Sequence, residues 1–271
     1  MGNHSERSIP AVMKDFNKIF KQLGYRWDYS RIFDDFITMT LAYFSRGDEL
    51  RKQRDDAMKN YNDSEKQLFS QLFYELMNIY NIEITAGGEN AWYDPLGEYY
   101  EFLASSSKQS WFGQFFTPDS VVNFMTKIQY SDDIIGKGLR VNDPASGSGR
   151  FLIAFHAHYP GNYTFAEDID PICAKMTAIN MMVHGCEGEV VCHNSLIPDD
   201  WRFGFWINPD IRTIGLPSIE PIQKEQSVIL RMWENQKNNT KNYSTESANI
   251  IPQIIPMTAE EEYTINKKIN L

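Results

Sequence analysis

Between Val141 and Phe151 the chain reads Val-Asn-Asp-Pro-Ala-Ser-Gly-Ser-Gly-Arg-Phe, and few folds accommodate that order. Apolar residues lead in, a proline and two glycines interrupt them, and apolar residues return at helical spacing. This predicts a strand over 139–142, a tight turn, and a helix from Phe151 to His158. Gly147 and Gly149 free the backbone for left-handed angles and for lying directly against a ligand, and Ser148 is expected to cap the helix. A Walker-type phosphate loop needs Gly-Lys-Ser/Thr, which is absent, and the dinucleotide fingerprint needs a third glycine where Leu152 stands. Asp143, at the carboxyl end of the strand, would repel a diphosphate and attract a cationic amino group. A turn whose glycines serve packing alone has the same local pattern, so the neighbouring stretches carry the decision.

Downstream, Tyr163–Asp168 reads as a second strand ending in acids, and Pro171–His184 as a helix with Ile172, Met176, Ile179 and Val183 on one stripe. Glu189–His193 and Phe203–Ile207 read as a third and a fourth strand. Strands alternating with helices imply an α/β class with a doubly wound, mostly parallel sheet. Asp168 follows Asp143 by 25 residues. That is close to the spacing of about 20 at which such folds set a carboxylate on ribose hydroxyls. The acids at 167, 168 and 170 also stand where they can cap the next helix, and Asp170 is expected to do so. A further helix is expected over 223–236, followed by a loose polar stretch over 238–247.

Upstream, apolar residues recur at helical spacing in three groups, Val12 to Phe20, Ile32 to Tyr43 and Leu68 to Ile79. They predict a small helical domain. The charged stretch from Arg46 to Lys59 is expected to break it, and Asn62-Asp63-Ser64 offers caps for the third helix. Tyr93-Asp-Pro-Leu-Gly-Glu-Tyr-Tyr-Glu-Phe-Leu103 predicts a short helix with Pro95 near its first turn. In Phe112-Gly-Gln-Phe-Phe-Thr-Pro-Asp119, Thr117 and Pro118 make a plausible cap and first helical residue.

With 271 residues, 42% of them hydrophobic, the chain can bury one large core or two modest ones. No apolar run approaches the roughly 20 residues of a membrane span, and Met1-Gly-Asn-His-Ser-Glu-Arg7 lacks a secretory apolar segment, so a cytoplasmic location and no membrane partner are expected. Cys173, Cys186 and Cys192 are scattered and suggest buried thiols and no metal site. The net charge is −10, and residues 111–211 carry 6 basic against 12 acidic groups. That balance argues against a free-standing nucleic-acid binder, because phosphate neutralisation needs clustered Lys and Arg.

Asp143-Pro-Ala-Ser-Gly-Ser-Gly-Arg-Phe151 resembles the cofactor motif of amino-methylating DNA methyltransferases, in particular the N6-adenine methylase (modification) subunits of type I restriction systems. Asp94-x-Leu-Gly-x-x-Tyr-Glu101 is similar to the helix that precedes the catalytic domain in those subunits, and Gly113-Gln-Phe-Phe-Thr-Pro118 to their Gly-Gln-Phe-Phe/Tyr-Thr-Pro motif. The resemblance covers about residues 93–211. It implies the S-adenosylmethionine-dependent methyltransferase type of sheet preceded by an all-helical domain. The divisions expected are 1–107 helical, 108–236 cofactor-binding and 237–271 a polar tail, with later strands and a target-recognition region missing from the segment present.

The resemblance also implies S-adenosylmethionine as cofactor, whose methionine moiety has the cationic amino group that Asp143 suits. Gln114, Phe116 and Thr117 would cover the methionine end, with Asp143, Ala145, Gly147 and Gly149 in the loop. Asp168 would hold the ribose, Ile169 would lie on the adenine, and Asn194, where the family usually has aspartate, would accept from the adenine amine. Asn208-Pro209-Asp210-Ile211 stands where the family has Asn-Pro-Pro-Tyr/Phe. Asn208 and Pro209 would accept the hydrogens of the target amine, while the second proline and the stacking ring are replaced. The activity implied is methylation of adenine N6 in DNA, with DNA bound weakly by the chain alone and a specificity or other restriction-modification subunit as partner. The altered motif also suits a cofactor-binding remnant that serves as an interaction or regulatory module.

Overall fold

A computed structural model describes residues 9–106, 116–197, 199–240 and 254–255. Five helices come first: α1 (Lys14–Leu23), α2 (Tyr29–Phe44), α3 (Asp48–Met58), α4 (Asp63–Ala86) and α5 (Pro95–Ser106). Then follow α6 (Asp119–Gln129), β1 (Arg140–Asp143), α7 (Arg150–His158), β2 (Tyr163–Asp168), α8 (Pro171–Val183), β3 (Glu187–Cys192) and β4 (Phe203–Ile207). The described chain ends with α9 (Ile211–Ile214), β5 (Ile219–Ile222), α10 (Val228–Thr240) and β6 (Ile254–Ile255).

The sheet has the order β5-β4-β3-β2-β1-β6. β1, β2 and β3 are mutually parallel because α7 and α8 carry the chain back between them, with Val141 beside Thr164 and Phe165 beside Glu189. Among the described residues no helix intervenes between β3 and β4. The chain therefore turns back beside β3 and pairs antiparallel to it, Cys192 with Phe203 and Gly188 with Ile207. β5 is antiparallel to β4, and β6 is antiparallel to β1 at the other edge. β1, β2, β3 and β5 thus point one way, which is the mostly parallel α/β sheet that the strand–helix alternation requires.

Side chains alternate across the pleat and meet a different layer on each face. Val141, Ala166 and Val190 share a core with Leu152, Ile153 and Phe155 of α7 and Met176 and Ile179 of α8. Phe165 and Val191 face Val228 and Ile229 of α10 on the other side. The helical region stacks on α8, and Phe16, Phe36 and Tyr99 belong to the same continuous core as Met176. Polar ties cross this junction: Lys175 Nζ donates to Asp34 at 2.9 Å and to Thr38 at 3.1 Å, and Tyr80 donates to Asn180. Each fully buried Phe or Met here contributes about 1.5–3 kcal/mol of transfer free energy.

Two local expectations change. The charged stretch after Arg46 is a helix, α3, not a break; only its Leu50 is buried, so no apolar stripe reveals it. The helix expected over 223–236 is a short 3-10 turn at Lys224–Gln226 followed by α10. The expected cap at Asn62 is present as a full capping box with Glu65. Among the described residues no helix is long and apolar enough to cross a membrane.

Candidate functional site

The turn after β1 is held by its own backbone. The Ala145 N–H donates to Asp143 Oδ1 at 3.1 Å and the Gly149 N–H to the Ser146 carbonyl at 2.8 Å, which winds the chain tightly into α7. Gly147 and Gly149 take φ of +58° and +86°, angles that L side chains rarely adopt. Space excludes side chains there as well: a Cβ on Gly147 would lie 2.8 Å from the Phe116 ring, and one on Gly149 3.0 Å from Thr177. The loop is then pinned to β2 and α8. Ser146 N–H donates to the Glu167 carbonyl at 2.9 Å, Gly147 N–H to Asp168 Oδ2 at 2.8 Å, and Thr177 Oγ1 to the Gly147 carbonyl at 2.9 Å.

At the carboxyl ends of β1 and β2 this loop encloses a cleft of about 560 Å³. Phe116, Thr117, Asp143, Ala145, Gly147, Asp168 and Ile169 all line it, joined by Ser146, Ser148, Val122, Met125, Arg150 and Phe151. Gly149 stands behind the wall as the residue before α7. Gln114 lies outside the described residues. Asn194 sits in the turn after β3, where its Oδ1 accepts from the Leu196 N–H at 3.0 Å.

Two capping expectations are corrected. Ser148 does not cap α7; its hydroxyl donates to Asp94 Oδ2 at 2.5 Å. Thr117 does not cap α6, whose preceding residue is Pro118, without a side-chain cap. Asp170 does cap α8, accepting from the Ile172 N–H at 2.8 Å.

Spacing alone missed the support behind the cleft. Asp94, Glu98 and Glu101 occur at i, i+4 and i+7, one face of α5 and its first turn, and all three meet Arg150 of the glycine loop. The Arg150 guanidinium donates to Asp94 Oδ2 at 2.6 Å, to Glu101 Oε2 at 3.0 Å and to the Thr117 carbonyl at 3.2 Å. Asp94 also accepts from Asn180 and from the Gly97 N–H, each at 2.7 Å. A Cβ on Gly97 would sit 2.0 Å from Asp94 Oδ2, so the glycine of that helix is a steric requirement of the joint. A run of acids opposite an apolar stripe of Leu96, Tyr100 and Leu103 on one helix was the available signal, since carboxylates buried with such a helix are costly without a cation.

The cleft is anionic. Burial pushes the Asp143 carboxyl up to about 6, the Ala145 N–H opposes this, and Asp168 and Glu167 add to it. Asp168 is also raised by burial, against the N–H donors of Asp170 and Gly147. Burial works against the charge on Arg150, yet Asp94 and Glu101 outweigh it and hold the guanidinium pKa above its ordinary value. Two acids raised by desolvation in a concave site suit a cationic guest, whose charge would offset the cost of ionising them.

Asn208 and Pro209 are not brought to this cleft. Because β4 runs against β3, Ile207 lies beside Gly188 at the start of β3, so Asn208 stands roughly 17 Å away, the length of a six-residue strand. Asn208 is fully buried with φ +51°, and its amide is committed to backbone. Nδ2 donates to the Met182 and Cys186 carbonyls at 3.0 and 2.8 Å, and Oδ1 accepts from the Ser218 N–H at 2.9 Å. Pro209 lines a separate small cavity of about 50 Å³ with Tyr163, Glu187 and Trp206.

Comparison with known proteins agrees with the motifs. Residues 91–211 match the N-6 DNA Methylase family model. The chain is 31% identical over 116 residues to the type I restriction enzyme HindI methylase subunit of Haemophilus influenzae, covering 38% of this chain and 24% of that protein. It is 26% identical over 127 residues to the type I restriction enzyme MjaIX methylase subunit of Methanocaldococcus jannaschii, covering 43% and 22%. The chain thus spans about a quarter of the length of these curated relatives. Among solved structures it is similar to the methyltransferase subunit of a type I restriction-modification system from Streptococcus thermophilus, at 18% identity and a TM-score of 0.29, covering 65% of this chain and 42% of that one. The stretch that matches the N-6 DNA Methylase family model, residues 91–211, runs from just ahead of α5 through β4 to the first residue of α9.

Proposed function

We propose that the chain binds S-adenosylmethionine in the cleft at the ends of β1 and β2 and serves methylation of adenine N6 in DNA within a restriction-modification system. The observation that carries this is the convergence of the glycine loop, the Phe116–Thr117 wall and two carboxylates on one anionic cleft at the carboxyl edge of parallel strands. S-adenosylmethionine supplies a methyl group activated by its sulfonium. Asp143 suits its amino group, and the half-exposed Ile169 offers an apolar surface for the adenine ring. Each Asp168 oxygen already accepts one backbone N–H and keeps lone-pair capacity for a ribose hydroxyl. In this reading Phe116 and Thr117 cover the methionine end, and Asn194, in the turn after β3 and outside the cleft lining, keeps a second lone pair on Oδ1. DNA and a specificity subunit are the partners this reading requires.

The placement of Asn208 and Pro209 favours a second reading, in which the chain holds the cofactor without turnover by itself. The two readings separate in one experiment: transfer of labelled methyl from S-adenosylmethionine to unmethylated DNA, with and without a specificity subunit. Incorporation into adenine supports the methylase. Calorimetric binding of the cofactor with background incorporation in both arms supports the module, and absence of binding to folded protein sinks the cofactor site.

A further inference from the structure

Helix α5 lies behind the cleft wall, yet its last acid reaches the wall directly. Glu101 is buried, and its Oε1 accepts the Phe116 N–H at 3.0 Å while Oε2 accepts from Arg150 at 3.0 Å. Arg150 in turn donates to the Thr117 carbonyl at 3.2 Å. The wall's peptide is therefore held at both ends, its entering N–H by a carboxylate and its leaving carbonyl by a guanidinium. The Phe116 ring lies 5.4 Å from that guanidinium and 5.6 Å from the Tyr100 ring, over the face of Gly147 where a Cβ has no room. The ring offers no hydrogen-bonding group, so these packing contacts depend on where the backbone that carries it is tied.

We propose that Glu101, acting with Arg150, is a positioning residue for the cofactor: it fixes the Phe116 ring against Gly147 so that the wall stands at the right distance from the loop. This rests on the cofactor reading above. It assigns the otherwise silent Asp-x-Leu-Gly-x-x-Tyr-Glu helix a role in ligand binding beyond packing. Glu101→Gln keeps the size and one acceptor but places an NH₂ toward a guanidinium or an amide donor, which breaks one of the two ties. Phe116→Ala keeps the backbone tie and removes the ring it positions.

The test is a double-mutant cycle with S-adenosylmethionine and S-adenosylhomocysteine titrated by calorimetry into the wild type, Glu101→Gln, Phe116→Ala and the double variant. Glu101→Gln should bind about tenfold more weakly, the scale of one hydrogen bond to a charged group. The double variant should bind no more weakly than Phe116→Ala. A merely structural role predicts instead the same loss in both backgrounds, and that result overturns the proposal, as does Glu101→Gln binding like the wild type. If Glu101→Gln does not fold by circular dichroism, Arg150→Lys, which keeps the charge and loses the fork, carries the same cycle with the same two outcomes. A wild type that binds neither ligand overturns the cofactor reading itself, so the two failures are distinguishable.

Discussion

Asp94 Oδ2 and Arg150 Nε lie 2.6 Å apart with both side chains buried, joining the start of α5 to the glycine loop across 56 residues of sequence. A guanidinium suits this place because its fork meets several acceptors at once, where an ammonium offers a point charge. Replacing Arg150 with Ala leaves the carboxylates of Asp94 and Glu101 buried without their cation. The expected cost is about 3–5 kcal/mol of folding stability, measured by denaturant unfolding, and a loss under 1 kcal/mol would contradict the account.

Asp168 links the loop to β2 through the Gly147 N–H and faces the cleft. Asp168→Ala should weaken S-adenosylmethionine binding by about 1.5–3 kcal/mol, roughly ten- to hundredfold, read by calorimetry.

Asp143 sets a pH dependence. Its carboxyl is raised from 3.8 to about 6 by burial, so between those values the folded protein holds a proton that the unfolded chain has released. Its contribution to the stability of the ligand-free protein is therefore present at low pH and is lost as pH rises through about 6. Binding of a cationic ligand runs the other way and should tighten over the same rise, because the ionised carboxylate is the form that attracts it. Affinities at pH 5 and pH 7 check this, and Asp143→Asn should flatten the difference.

Asn208→Ala removes three hydrogen bonds to backbone and places a Cβ-bearing residue other than Asn at φ +51°. Each buried group left unpaired costs about 1–3 kcal/mol, so the variant should unfold at lower denaturant. Cofactor affinity of the folded fraction should stay at the wild-type value, since the residue stands at the opposite end of the sheet. A selective loss of binding without loss of stability would show Asn208 at the cleft.

Duplex DNA should bind the chain weakly, with affinity falling steeply as salt rises, because residues 111–211 carry 6 basic against 12 acidic groups. Fluorescence anisotropy across a salt series reads this, and a tight salt-insensitive complex would contradict it.

The parts of this protein determined by sequence alone are those whose physics is local. β2 and β4 coincide with their apolar runs, α8 follows its stripe and its Asp170-Pro171 start, and the glycine turn lies where positive φ was required. Tertiary structure decided what depends on a distant partner. Ser148 has the chemistry of a cap, but the residue before α7 is Gly149, and the Ser148 hydroxyl is turned to donate to the buried Asp94 carboxylate, 54 residues away. α3 carries no apolar stripe, so only its packing beside α2 reveals it. Strand direction is the largest such decision. A period of two looks the same read either way along a strand, and only the helix-free return from β3 makes β4 antiparallel, carrying Asn208 away from the loop to which its motif would otherwise tie it.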